Sequence, residues 1–468
     1  MKLNKSLLTL TLILTTLAGL SAWSITDTYF GNQTGAQDAR SYSMGGTGLF
    51  DDLRPLGISA NPANLTLMEK FIGLEGSLIV NRNEDNRHVP LYNSFDNYID
   101  DSVYASNIHF YEDFSGAGFV SKEFGGLKVG LGAYYQPLLS FDGNYEEQIR
   151  NNRNTDNDGY PEKIAVNMIE NEGLLNQASG VLSLGYGLGE YLDFNLGFDY
   201  AMLFGNIEKS KTIRWSHWAI DTVGEGILPD YTYSEETELD GSRLKAGASV
   251  RINSHFGLAA TFTPKATLDR TGEWKEESYT EDNPLYEVEE GSYDEDYILP
   301  TQLRLGLNYQ PRNIMHTWFN LEGEFVKFSD IHERYDDIYN LYAGVEHHVQ
   351  NRLPLRLGFQ ATSGYLRIVE DDGAIIAKKI ITPMITGGSS IHLGHNLNLD
   401  LGFSYSWREY EALDLFGDSY YDDTQYTGEN NYQLWPNQYI VLEDRGWENP
   451  DKVRENNIGI KTSLSVTW

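Results

Sequence analysis

From about residue 71 onward the chain alternates apolar and polar side chains in segment after segment, the two-residue period that makes one face of a β-strand greasy and the other wet. The clearest stripe is Leu397, Leu399, Leu401, Phe403, Tyr405 and Trp407, interleaved with Asn398, Asp400, Gly402, Ser404, Ser406 and Arg408. Others run Leu192, Phe194, Leu196, Phe198, Tyr200, then Leu303, Leu305, Leu307, Tyr309, and Leu244, Ala246, Ala248, Val250, Ile252. The period predicts fourteen strands, near 71–80, 115–123, 127–136, 177–187, 191–205, 242–252, 256–268, 301–310, 316–328, 338–348, 353–363, 376–392, 396–408 and 457–468, the second and twelfth patterned weakly. Very short connections, such as Gly125-Gly126 and Asn253 to His255, alternate with mostly long, polar, acidic ones at 81–114, 137–176, 206–241, 269–300, 329–337, 364–375 and 409–456. Short turns on one rim and long loops on the other are the layout of an outer-membrane β-barrel, with turns in the periplasm and loops outside.

Composition narrows the choice. The 468 residues carry 35 basic against 68 acidic side chains, a net charge of -33, which argues against a nucleic-acid partner, whose phosphates call for clustered Lys and Arg. The chain has no cysteine, so neither disulfides nor thiolate metal sites enter. Mean hydropathy of -0.43 and the lack of a second long apolar run exclude a helical bundle in the membrane, where each span needs about 20 apolar residues. The opening MKLNKSLLTLTLILTTLAGLSA has a basic start, an apolar centre and a small-residue exit, and reads as a signal peptide over residues 1–22.

The competing fold is a soluble secreted β-sandwich, in which the same stripes pack against a second sheet. Two features favour the barrel. Opposite the stripes stand Gly and charges, among them Lys128, Asp193, Asp199, Lys245, Arg251, Arg304, Arg356 and Asp400, which suit a wet lumen. Aromatics gather at strand ends, at Tyr134-Tyr135, Tyr200, Phe204, Tyr309, Trp318-Phe319, Tyr405 and Trp407, as interfacial girdles require. The last strand alternates to Trp468, and an amphipathic final strand with a terminal aromatic resembles the assembly signal of outer-membrane barrels. Outer-membrane lipid and the barrel assembly machinery are therefore expected partners, in the outer membrane of a diderm bacterium.

Between leader and first strand, Gly35 to Ser77 has no clean period but much Gly, Asn and Pro, and buried-looking residues such as Met44, Leu49 and Ile58. The runs Ala39-Arg40-Ser41, Met44-Gly45-Gly46-Thr47 and Asn61-Pro62-Ala63-Asn64-Leu65 resemble the FadL/TodX family of hydrophobic-compound transporters and its PorV-like relatives. The resemblance implies an all-β fold, a 14-stranded antiparallel transmembrane β-barrel over 71–468, with residues 25–70 folded into the lumen as a hatch. Asn61, Pro62 and Ala63 would form its centre, and Arg54 is its candidate head-group ligand. On local sequence alone, an Asn-Pro turn leading into the first strand fits equally well. The implied function is hatch-gated transport of hydrophobic small molecules, fatty-acid-like or aromatic, with sideways exit through a break in the third strand. Gly130, Gly132 and Pro137 are the strand-break candidates. Pro137 also fits a strand that simply ends there. Long acidic loops where the family has a greasy outer cap set this chain apart from a plain fatty-acid carrier. Two other functions fit the sequence: an accessory barrel of a secretion or surface-attachment system, with loop 409–456 and its Tyr420-Tyr421 and Trp435 as partner surface, and a general porin.

Lumen cations Lys128, Arg251, Arg304, Arg356 and Lys461 are candidates to hold a ligand carboxylate, although pairing with inward acids such as Glu322, Glu324 or Glu346 is the favoured reading. Asn154, Asp156, Asp158 and Glu162 lie in a loop similar to calcium-binding repeats, but Ala165 stands where a bidentate Glu would complete an EF-hand, and a solvated loop tip fits better. No other cofactor is expected. Enzyme signatures are thin: His332 with Asp336 and Asp337 is the one local cluster, and loop composition explains it.

Overall fold

The computed structural model describes residues 30–50, 53–92, 97–150, 163–188, 192–223, 230–253, 255–279, 287–312, 316–333, 335–349, 353–369, 375–394, 396–412, 415–416 and 451–468. The leader, the calcium-like loop Asn154 to Glu162, and Tyr420, Tyr421 and Trp435 lie outside these residues.

Fourteen strands form one closed antiparallel barrel. They are β1 (Ile72–Tyr92), β2 (Tyr98–Phe124), β3 (Leu127–Ser140 and Gly143–Arg150), β4 (Lys163–Leu188), β5 (Leu192–Trp215), β6 (Asp230–Ile252) and β7 (Phe256–Thr263 and Ala266–Tyr279). The ring continues with β8 (Glu287–Leu299 and Thr301–Tyr309), β9 (Thr317–Lys327), β10 (Ile338–Val349), β11 (Leu353–Val369), β12 (Ile375–His392), β13 (Leu397–Ala412) and β14 (Asp451–Thr467). Each strand pairs with its sequence neighbours, and β14 closes on β1 from Thr467 opposite Gly73 to Lys452 opposite His88. Closure satisfies backbone groups that hydrocarbon cannot, and leaves no free edge along that seam.

The stripes face outward. Leu401, Phe403, Leu196, Phe198, Leu305 and Ile460 are exposed, while Asp400, Ser404, Asn195, Asp199 and Lys461 between them are buried inside. Tyr134 departs from the expected girdle: it is buried and gives its hydroxyl to Asp199.

Four of the expected loops are largely strand. β1 runs on to Tyr92 and β2 starts at Tyr98, β3 reaches Arg150 and β4 starts at Lys163, and the β5–β6 and β7–β8 hairpins extend likewise. In that stretch the outer face also carries polar groups, for example Glu236 opposite both Glu208 and Glu273. With polar groups on the outer face and apolar ones such as Ile207 and Leu239 on the inner, the apolar-out contrast that reveals a strand is lost although the ladder continues.

Candidate functional site

Residues 30–50 and 53–68 lie inside the ring. Helix α1 (Ala39–Ser43) is capped by Asp38, whose Oδ1 accepts from the Ser41 amide at 2.8 Å. The chain then turns through Gly45 and Gly46, at φ of 68° and 77°. A Cβ at Gly45 would meet the Phe359 carbonyl oxygen at 2.5 Å, so both the left-handed backbone and the close approach to β11 require glycine. The Gly45 amide donates to Thr386 Oγ1 at 2.8 Å. Helix α2 (Gly57–Ala60) leads to a 3-10 turn, Pro62–Thr66, whose cap is Asn61: Oδ1 accepts from the Ala63 amide at 3.0 Å and Nδ2 donates to the Leu49 carbonyl at 2.8 Å. Pro62 occupies the first position of the turn, where no amide hydrogen is needed.

The barrel makes room with glycine. Gly130 lies on Leu65, Gly132 on Ile58, Gly197 on Pro62 and Ala63, Gly247 on Asn61, Gly257 on Phe50, Gly344 on Met44 and Gly459 on Tyr42, each so closely that an added Cβ would overlap the hatch. This corrects the strand-break reading of Gly130 and Gly132. Both sit in unbroken ladders, opposite Ser121 and Phe119 on β2 and Ser183 and Val181 on β4.

The irregularity lies further along, where the β3–β4 register shifts between Pro137 and Leu139. There the chain's own Asn32 and Gln33 pair with Ser140 and Leu139, and Thr34 Oγ1 donates to the Pro137 carbonyl at 2.7 Å. On its other side β3 pairs with β2 only from Phe124 opposite Leu127 to Gly116 opposite Tyr135. Among the described residues no ladder joins the rest of β2 to the rest of β3; side chains cross that interval instead, Asn107 Oδ1 among them, accepting from the Glu146 amide at 2.9 Å.

Most of the lumen cations are tied down. Arg356 sends Nε to Glu346 at 2.6 Å and Nη1 to Asp400 at 3.0 Å; Glu346 also holds Arg40 at 3.0 Å, and Asp400 holds Arg54 at 2.7 Å. The result is an alternating chain of charge, Arg40–Glu346–Arg356–Asp400–Arg54, stitching hatch to wall. Arg304 pairs with Glu322 at 2.6 Å and donates to the Gly46 carbonyl at 2.6 Å, while Glu322 Oε1 accepts from the Gly48 and Leu49 amides. Lys461 donates to the Ala36 carbonyl at 2.7 Å, Arg251 lies 5.7 Å from the Phe50 ring, and Lys128 is half-buried opposite Glu123 on β2. Arg54 therefore serves the wall, not a cavity. The His332 ring lies 6.1 Å from that of Tyr335, while Asp337 accepts from Ser329 and the Asp336 carbonyl from Tyr365.

Against the hatch a cavity of about 320 Å³ has a mixed lining, polar at Gln136, Gln177, Arg243 and Lys245 and apolar at Leu138, Tyr297, Leu299 and Met384. Arg243 donates to Gln302 Oε1 at 2.7 Å and Lys245 to the Ser59 carbonyl of the hatch at 2.7 Å. Sequence reading missed Arg243, Glu75, which accepts from the Leu56 amide at 2.8 Å, and the role of the lumen glycines. The glycines did leave a signal: apolar-Gly-apolar recurs as Leu196-Gly197-Phe198, Leu305-Gly306-Leu307, Leu357-Gly358-Phe359, Leu401-Gly402-Phe403 and Ile458-Gly459-Ile460, always with Gly in the wet register.

No protein-family model matches the chain, and no curated protein does. Solved structures do. The Pseudomonas putida toluene transporter TodX superposes with a TM-score of 0.58 at 14% identity, over 92% of this chain and 99% of that one. A Pseudomonas aeruginosa FadL homologue gives 0.57 at 12% identity, over 93% and 99%. The Ralstonia pickettii toluene transporter TbuX gives 0.53 at 14%, over 93% and 99%. The chain has the fold of these barrels.

Proposed function

We propose that this barrel of the FadL and TodX fold sits in the outer membrane of a diderm bacterium and passes hydrophobic small molecules, with neutral aromatic hydrocarbons as the favoured class. Three of the superposed chains, TodX, TbuX and the hydrocarbon channel CymD, are described as carriers of toluene or monoaromatic hydrocarbons, which favours rings over fatty acids. A lumen occupied by a hatch argues against a general porin, whose lumen is a water-filled channel.

The observation that carries the reading is the interval where β2 and β3 part company beyond Gly116 and Tyr135. A hydrophobic solute gains little by crossing into water and much by staying near lipid. A wall with missing ladder bonds, lined from within by residues 31–34, supports a sideways route from lumen to bilayer. In this mechanism the solute settles in the cavity against the hatch, leaves past Leu138, and never needs the hatch to be fully expelled.

The chain's lack of cysteine makes the test clean. Ser115 and Gln136 are the next positions beyond the last β2–β3 pair, and both point inward. In a S115C/Q136C variant the oxidised bridge should close the interval, and uptake of labelled toluene by cells carrying it should fall at least several-fold, returning on reduction. Equal uptake in the oxidised and reduced states would remove the sideways route; no uptake above a barrel-free control in any state would remove transport altogether.

A further inference from the structure

We propose that the loop-end mouth of the lumen contains a binding slot for one neutral aromatic ring, and that the chain's own Phe416 occupies it in the present conformation. The proposal rests on the aromatic-substrate reading above for its ligand class, and on separate residues for its geometry.

Phe416 belongs to the connection between β13 and β14, yet it is 7% exposed. It packs in a cluster with Ala105 of β2, Tyr145 of β3, Ile169 of β4 and Ile213 of β5. The Tyr145 ring is stacked on it, centroids 6.5 Å apart and planes 22° from parallel. Lys211 Nζ sits 4.4 Å from the centroid of the Phe416 ring and donates to the Leu415 carbonyl at 2.9 Å. From beneath, the buried Arg87 guanidinium lies 5.0 Å from the Tyr145 ring, so the stack is braced toward the lumen.

The slot is assembled from four barrel strands and filled by a residue that none of them supplies. Ala105 and Tyr145 stand on the parts of β2 and β3 that no ladder joins, so the ring sits between the two walls of the interval through which a solute would move. A phenylalanine side chain is toluene attached to a backbone. A slot that accepts this ring among Ile169 and Ile213, offset-stacked on Tyr145 and beneath an ammonium, accepts a free monocyclic aromatic by the same contacts. The ammonium over the ring recognises the negative face of a π system, which a saturated ring of equal size lacks. The tethered Phe416 competes with any free ring at a high effective concentration, so the apparent affinity of the native chain is reduced by the fraction of time the slot is vacated.

The test uses the full chain in lipid nanodiscs, with 4-fluorotoluene followed by fluorine NMR and empty nanodiscs as the blank. Phe416→Ala should bind the probe about tenfold more tightly than the native chain, since the internal competitor is gone. Ile169→Trp added to Phe416→Ala should fill the slot and cancel the gain. In Phe416→Ala, toluene should displace the probe better than methylcyclohexane, and Lys211→Met should erase that preference. A readout with the aromatic residue kept in place guards against misfolding: 4-fluorophenylalanine at position 416 should shift from a buried to a solvent-exposed resonance as toluene is added. Unchanged affinity in Phe416→Ala, a gain that survives Ile169→Trp, or a resonance that ignores saturating toluene would each overturn the slot. Toluene uptake that persists while these signals are silent would sink the slot alone; ring binding without uptake in cells would sink the transport reading and leave the slot standing.

Discussion

Arg54 of the hatch meets both carboxylate oxygens of Asp400 on β13, Nε at 2.7 Å from Oδ2 and Nη2 at 3.1 Å from Oδ1, across 346 residues of sequence. Asp400 is the common acid of Arg54 and Arg356, so the two sides of this bond are unequal. Asp400→Ala leaves two buried guanidiniums without their shared carboxylate, whereas Arg54→Ala leaves Asp400 still paired with Arg356. Breaking a buried pair by removing one partner costs about 3–5 kcal/mol. Hydrogen exchange of the hatch amides should therefore accelerate by a factor on the order of hundreds in Asp400→Ala and by distinctly less in Arg54→Ala. The same protection in both variants and the native chain would mean that the charge chain does not hold the hatch.

The glycine ring makes a steric prediction. A side chain at Gly247 collides with Asn61 and Pro62, while Gly323 has nothing within 4 Å of an added Cβ. Gly247→Val should expel or misplace the hatch and raise single-channel conductance well above the native trace, with the barrel still resisting SDS at room temperature. Gly323→Val should alter stability by no more than about 0.5 kcal/mol and leave conductance alone. Matching traces from the two variants would refute the fitted-hatch picture.

Asn61 acts as cap and clamp together, through Ala63 and Leu49. Asn61→Ala removes the cap and leaves the buried Leu49 carbonyl without that donor, a cost of about 1–3 kcal/mol. Protease cleavage within residues 53–68 should become detectable in Asn61→Ala under conditions where the native hatch is intact. Resistance equal to the native chain would show that the turn is held by its surroundings alone.

At the loop end, Asp330 follows β9. Burial alone would raise its pKa, but hydrogen bonds from Lys327 and from the Thr301 hydroxyl and amide outweigh that and hold it down to about 2. A depressed carboxylate contributes stability that is fully present above its unfolded value of about 3.9 and is lost as pH falls through the folded value. Amide protection at Thr301 should thus weaken between about pH 4 and pH 2, and Asp330→Asn should start from lower protection and show no such step. A step of the same size in Asp330→Asn would assign it to another group.

Much of the barrel was legible because lipid and lumen impose opposite demands on successive side chains. Leu401 and Phe403 face out, Asp400 and Gly402 face in, and the period alone counted the strands and placed their turn-proximal parts. It failed toward the loop end, where the exposed Glu208, Glu236 and Glu273 line up across β5, β6 and β7 on the face that is apolar lower down. Tyr134 was misread because an aromatic at a strand end looks the same whether it faces lipid or, as here, a lumen carboxylate.

By itself, the sequence determined that there would be fourteen crossings, which face of each would meet lipid, and that glycine would recur in the inner register, since those follow from local alternation and residue size. Only the tertiary structure decided that Arg356 would be sealed between Glu346 and Asp400, that Arg40 and Arg54 would be their hatch partners, and that Phe416 would lie against Tyr145. Those contacts join residues up to hundreds of positions apart, and no local period records which of many lumen charges or loop aromatics will meet once the ring has closed.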